Sequence, residues 1–177
     1  MPKLKRSFFL QPTIKAAREL LGKVLVHEYK GKILKGVITE TEAYIGIKDK
    51  ACHSYNGRKT KRTQIMFEKG GKAYPYFVYG VHWLFNITTG KKDEPEAVLI
   101  RGLDIADGPA KLTKILKLDG SLYGYDLCKY DSKIYVEDIS VQNKRSGIII
   151  LPRVGINYAG PYWSKKKLRF LLKTKEI

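Results

Sequence analysis

The chain has 177 residues, 44% of them hydrophobic, which suits one compact domain with a real core. Lys and Arg number 34 against 17 Asp and Glu, a formal net charge of +17. Such an excess points to a polyanionic partner (DNA, RNA or an anionic membrane surface), although a lysine-rich composition with solvated side chains explains part of it.

Cys52 and Cys128 give no disulfide framework, and His27, His53 and His82 lack zinc-ligand spacing, so no metal and no cofactor is expected. The opening MPKLKRSFFLQP is basic, with an apolar patch too short for a secretory leader, and no stretch approaches a transmembrane span. These features predict a reduced, intracellular protein.

In chain order, PTIKAARELLG reads as a helix with Pro12 in its first turn, Ile14, Ala17 and Leu21 on one face, and Gly22 as its stop. KVLVHEY and ILKGVITETEAY read as strands joined by a hairpin at Lys30-Gly31. Residues 45–64 are polar and turn-rich, with a basic cluster from Arg58 to Arg62. AYPYFVYG and VHWLFNIT are aromatic-rich strands meeting near Gly80, and Pro75 places the first at a sheet edge or a bulge. EAVLIRGL is another strand. GPAKLTKILKL reads as a short helix with Leu112, Ile115 and Leu116 on one face. Residues 119–133 are turn-rich, and KIYVED, SGIIILPRVGI and LRFLLK are further strands. Many strands with two helices and no βαβ alternation predict a single α+β domain over residues 1–177. Its sheet is expected to be largely antiparallel and curved, with flanking helices and a protruding hairpin.

Three groups of residues have chemical potential. Glu42 and Tyr44 stand two apart at a strand end, so they point to one face, where a carboxylate beside an aromatic suits general-base work. A lone Glu at a strand end is more often simply solvated. Tyr74 and Tyr76 share one face of their strand and Phe77 and Tyr79 the other; one set packs, and the other is free to stack on a base. Aromatics also favour strands for packing alone. Tyr79, just before Gly80 at a hairpin tip, is placed to wedge into a groove. Arg58, Lys61 and Arg62 fit contacts to a nucleic-acid backbone, as does Lys165-Lys166-Lys167, although each is equally a solvated charge run.

The ordered series ETEAY, ACHS, RTxxMF, YxYFVYG, FNITTG, EAVLIR, GPAKL, PRVGI and LRF resembles the alkyladenine (3-methyladenine) DNA glycosylases of the vertebrate-type fold, over nearly the whole chain. The resemblance implies a monofunctional enzyme, without metal or Schiff base. It would flip alkylated or deaminated purines (3-methyladenine, 7-methylguanine, hypoxanthine, ethenoadenine) out of duplex DNA and hydrolyse the glycosidic bond, leaving an abasic site. It implies Glu42 as the base that activates water and Arg101 as a holder of that water. Tyr44, His53 and Tyr76 would form the base pocket, with Asn86 excluding normal guanine and Tyr79 as the wedge. Such an enzyme is expected to act as a cytoplasmic, prokaryotic monomer on double-stranded DNA, away from any membrane.

Three features depart from the family pattern. The segment GLDIAD before Gly108 is short, Pro75 stands between the pocket tyrosines, where it is expected to bend the strand and displace Tyr76, and His82 follows the wedge. A non-catalytic nucleic-acid-binding module explains the charge and the aromatics equally well, but not Glu42, Arg101 and Asn86 together. A formyl-transfer accessory domain on a related barrel would not need the pairing of ETEAY with the aromatic hairpin.

Overall fold

In the computed structural model, which describes residues 2–139 and 147–173, the architecture starts from a tight turn. Lys30 and Gly31 both have positive φ, 48° and 75°, the backbone that lets two residues join twisted antiparallel strands. They connect β1 (Val24–Tyr29) to β2 (Lys32–Tyr44), with Tyr29 opposite Lys32. At 13 residues β2 is long enough to serve two pairings. Its first half pairs with β1, and its second half with β5 (Glu96–Leu103) on one edge and β9 (Arg169–Leu172) on the other.

The sheet runs β3 (Ala73–Val78), β4 (His82–Thr89), β5, β2, β1, β7 (Ile134–Glu137). The two-residue β6 (Ala106–Asp107) pairs with β5, and β8 (Ile148–Leu151) pairs with β9. Among the described residues every strand pairing is antiparallel. The fold is thus α+β, a curled antiparallel sheet with a few helices, as predicted. Pro75 lies on the outermost strand of this order. Ala73 N–H points away from β4, to the Tyr125 carbonyl at 2.8 Å, so the missing N–H of Pro75, two residues on, faces the same way. The ladder with β4 continues through it, with Pro75 opposite Phe85 and Tyr76 opposite Leu84.

Helix α1 (Arg6–Phe9) precedes α2 (Thr13–Leu20); α3 (Pro109–Leu116) follows β6, and α4 (Gly160–Lys165) precedes β9. Helix α2 packs on β2 and β5, and α3 on β4, β5 and β6. The core lies between these helices and the sheet, around Phe9, Leu20, Phe85, Ile87, Ile100, Leu112 and Phe170. Truncating Phe85, which is fully buried, to Ala would cost about 3–5 kcal/mol.

The helix faces differ in part from the prediction. In α2 the buried set is Thr13, Ala16, Ala17 and Leu20, with Ile14 exposed, because Thr41 Oγ reaches the Ala17 carbonyl and draws that side onto the sheet. In α3 Leu112 and Leu116 are buried but Ile115 is exposed. Helices α1 and α4 were not anticipated. The strand predicted from Ser146 to Ile156 is shorter: Ser146 lies outside the described residues, and β8 ends at Leu151, just before Pro152. Among the described residues, no helix is long and apolar enough to cross a membrane.

Candidate active site

Strand alternation builds the site. On β2, Thr41 and Ala43 face the helices, so Glu42 and Tyr44 face the other way. On β4, Phe85 and Ile87 enter the core while His82, Leu84 and Asn86 line the opposite face. On β5 the opposite face carries Ala97, Leu99 and Arg101, and on β3 it carries Tyr74 and Tyr76. Four strands thereby present the floor and walls of one cleft of about 550 Å³.

Glu42 sits on that floor with no exposed surface. Its Oε2 accepts the Tyr44 hydroxyl at 2.8 Å, and its Oε1 accepts the Val154 N–H at 2.9 Å. Arg101 Nε lies 3.7 Å from Oε1 of Glu42 and 3.2 Å from Oε1 of Glu40, and Arg169 donates to Glu40 at 2.8 Å. Burial raises the pKa of Glu42 above the ordinary carboxylate value, against the pull of the Val154 N–H, Arg101, Tyr44 and Arg153.

Alternation with Ala97 and Leu99 puts Arg101 on this face, and a register break falls at the same residue. Ile100 is opposite Thr41 and Gly102 is opposite Glu40, which leaves Arg101 without a partner. A bulge of this kind re-aims a side chain. Gly102 permits it, since a Cβ there would lie 3.1 Å from both Glu40 Cβ and Thr39 Oγ.

Beside Glu42 the cleft deepens into an inner recess of about 30 Å³, lined by Tyr44, His53, Tyr74, Tyr76, Asn86 and Tyr158 among others. Asn86 donates to the Tyr74 carbonyl at 3.3 Å. His53 stands edge-on to Tyr76, ring centroids 4.7 Å apart, with its Nδ1 2.8 Å from the Tyr74 hydroxyl. Its Nε2 lies 3.2 Å from Arg62 Nη2. A guanidinium only donates, so Nε2 accepts and the ring proton sits on Nδ1, directed at Tyr74. Burial, with Arg62 and Arg58 nearby, pushes the His53 pKa down to about 4, so the imidazole is neutral at pH 7. Burial likewise raises the Tyr74 hydroxyl to about 12 and keeps Tyr76 protonated at neutral pH.

The outer wall is the β3–β4 hairpin. Val81 N–H closes its turn onto the Val78 carbonyl at 3.1 Å, with Tyr79 at φ 53° and Gly80 at φ 67°. Tyr79 is 90% exposed at the tip and lines the mouth of the cleft. Of the expected basic contacts, Arg62 lines the cleft, its guanidinium 4.9 Å from the Tyr76 ring centroid and beside His53. Arg58 lines a neighbouring depression shared with His53, Arg62 and Tyr158. Lys61 is exposed and lines neither.

Eight of the ten expected side chains therefore converge on the cleft or its recess: Glu42, Arg101, Tyr44, His53, Tyr76, Asn86, Tyr79 and Arg62. Sequence reasoning missed Glu40, Asp49, Arg153 and Tyr158 as parts of this site. The signal for Arg153 was a charged residue after Pro152 in an otherwise apolar run. Tyr158, whose hydroxyl donates to the Ala51 carbonyl at 3.2 Å, had no sequence signal. Among the described residues, no cluster of His, Cys, Asp or Glu is arranged to hold a metal ion.

A family model described as methylpurine-DNA glycosylase (MPG) matches residues 7–107 and 102–176. A protein of Desulfitobacterium hafniense is 40% identical to this chain, over 90% of each sequence. One from Borrelia garinii is 38% identical over 96% of each, and one from Psychrobacter cryohalolentis 41% identical over 89% of this chain and 86% of its own length. All three carry provisional names as 3-methyladenine DNA glycosylases. With matches this extensive, the chain belongs to the methylpurine-DNA glycosylase family.

Proposed function

We propose that this protein is a monofunctional purine DNA glycosylase, releasing 3-methyladenine and related alkylated or deaminated purines from double-stranded DNA. The observation that carries this reading is the buried Glu42 carboxylate, held by Tyr44 and Val154 beside Arg101 on the floor of an aromatic cleft, with Tyr79 exposed at its mouth. The relatives' names support the 3-methyladenine substrate.

A purine inside a duplex is unreachable, so it must leave the stack, at a few kcal/mol and less where pairing is already damaged. Tyr79 fills the space it vacates. The flipped base lies between Tyr44, Tyr76 and His53, where aromatic stacking returns about 1–3 kcal/mol. N3- and N7-alkylated purines carry positive charge, which electron-rich tyrosine faces attract and a neutral His53 does not repel. Asn86, on the pocket wall, selects against the exocyclic amine of guanine. Arg58, Lys61 and Arg62 hold the phosphate backbone. Glu42 removes a proton from a water positioned with Arg101, and that water attacks C1′ as the purine departs, neutral from an N-alkylated cation and, from hypoxanthine, as an anion that takes a proton from solvent. General-base assistance of this sort is worth about 10²–10⁴-fold. No amine of the enzyme bonds to the sugar, so the strand stays intact.

Incubation of the protein with a duplex bearing one hypoxanthine, and separately with methylated DNA, tests the reading. The expected products are free base and a strand that breaks only after alkali. Tight duplex binding with no base released from either substrate supports the binding-module alternative instead, and strand cleavage without alkali contradicts the monofunctional assignment.

A further inference from the structure

Two elements that no motif argument placed in the site meet behind it. Asp49 and Arg153 are both fully buried. Arg153 Nη1 donates to Asp49 Oδ2 at 2.6 Å and Nη2 to Oδ1 at 2.9 Å, a bidentate pair. Asp49 also accepts the N–H groups of Ile45, at 3.1 Å, and Ala51, at 3.0 Å, so its carboxylate organises the loop after β2. Arg153 Nη1 reaches the Ala43 carbonyl at 2.9 Å, between Glu42 and Tyr44, and its guanidinium lies 4.7 Å from the Tyr44 ring centroid. The next residue, Val154, donates its N–H to Glu42. One ion pair therefore touches the backbone between the two β2 residues, the ring of one and the hydrogen-bond donor of the other.

We propose that Asp49 and Arg153 are positioning residues for Glu42 and Tyr44: the pair locks the turn that aims Val154 N–H at the carboxylate and braces the Tyr44 ring. This rests on Glu42 being the base of the reaction. A buried ion pair is a poor source of stability, and apolar replacement of both partners is often neutral, whereas removing one partner strands a buried charge at about 3–5 kcal/mol. The burial of this pair is better explained by geometry than by stability.

The charge has a second consequence. The groups facing Glu42 are Tyr44 and Glu40 on its own strand, Arg101 on β5, Tyr76 on β3, and Arg153 with Val154 N–H from the loop after β8, while Arg169 on β9 faces Glu40. Asp49 neutralises Arg153. In Asp49→Asn the unpaired guanidinium favours the Glu42 carboxylate more strongly and makes it a weaker base.

The test compares wild type, Asp49→Asn, Arg153→Lys, the neutral double variant Asp49→Asn/Arg153→Met and a surface control, Glu28→Gln. Single-turnover base release is followed from pH 4 to 9, with duplex affinity and folding measured in parallel. Asp49→Asn is expected to lose tenfold or more in plateau rate, to keep duplex affinity within about threefold, and to move the acid limb to lower pH. Arg153→Lys should recover only part of the rate, and Glu28→Gln should match wild type. A folded Asp49→Asn with wild-type plateau and acid limb overturns the proposal. If Asp49→Asn does not fold, the double variant decides: folded but slow supports positioning, and folded with wild-type rate overturns it. If wild type itself releases no base, the functional reading fails. A ¹³C titration of the Glu42 carboxyl then decides this proposal alone, a lower pKa in Asp49→Asn (in the double variant, an altered one) upholding it and an unmoved one overturning it.

Discussion

At Glu42 burial works against stability. A carboxylate whose folded pKa is raised binds more protons in the folded state than in the unfolded one across the window from its unfolded value, 4.5, up to its folded value. Stability from this group is therefore lost as pH rises through that window. Glu42→Gln removes the charge and keeps the shape: the amide oxygen still accepts from Val154 and the NH₂ donates to the Tyr44 hydroxyl. The variant is expected to melt at a higher temperature than wild type at pH 7 and at the same temperature near pH 4, by calorimetry at both pH values.

His53 has the opposite sign. Its folded pKa of about 4 lies below its ordinary 6.5, so the unfolded chain binds the extra proton between those values, and stability falls as pH drops through that window. A base-release profile whose acid limb titrates with Glu42 and persists in His53→Gln is the expected result. A limb that vanishes in His53→Gln would assign it to the imidazole.

At the scale of elements, two local irregularities carry the site. The first is the Tyr79-Gly80 turn. A hairpin of this kind prefers Asn-Gly, and a non-glycine residue in left-handed backbone costs about 1–2 kcal/mol, which Asn reduces. A bulky tyrosine left 90% exposed there serves no folding purpose. Tyr79→Asn is expected to raise the melting temperature by a few degrees and to cut single-turnover base release tenfold or more; unchanged release would remove Tyr79 from the flipping step.

The second is the bulge at Arg101. Gly102→Ala forces the added methyl against Glu40 and Thr39 and should shift Arg101 out of line. A loss of rate with duplex affinity retained is expected, alongside a destabilisation of about 1–3 kcal/mol.

These elements also show how much could be read in the sequence. Two-residue alternation put Glu42 with Tyr44 and Tyr74 with Tyr76, and the structure bears out both facings because one side of each strand is committed to the core. Alternation along EAVLIRGL puts Arg101 on the same face as Ala97 and Leu99, while the resemblance placed it near Glu42; the bulge after Ile100 had the glycine as its local sign. Phe77 and Tyr79 do not form a second strand face, since Tyr79 belongs to the turn. The feared displacement of Tyr76 by Pro75 does not occur: the proline sits on the outer edge, where its missing N–H interrupts no ladder. The pairing of Asp49 with Arg153 could not be read, because it spans 104 residues, which no local pattern reports.

At the scale of the whole molecule, a net charge of +17 sets the association step. Binding that releases counterions weakens with salt, each neutralised phosphate adding about −0.9 to the slope of log K against log salt. If Arg58 and Lys61 meet the backbone, removing both should lower the slope by about 2 and weaken damaged and undamaged duplexes alike. Arg62 should behave differently, since its guanidinium, although the residue is exposed, lies over Tyr76 and beside His53. Arg62→Ala is expected to change discrimination among bases as well as the slope, checked by comparing release of cationic 7-methylguanine with that of neutral hypoxanthine.

The central claim is that Glu42 performs the chemistry while the rest of the cleft selects and holds the base. Its most direct test is single-turnover release from one damaged duplex at saturating enzyme, wild type beside Glu42→Gln, with duplex affinity measured on the same samples. The account predicts a loss of 10²-fold or more in rate at unchanged affinity. Release by Glu42→Gln at the wild-type rate would contradict it.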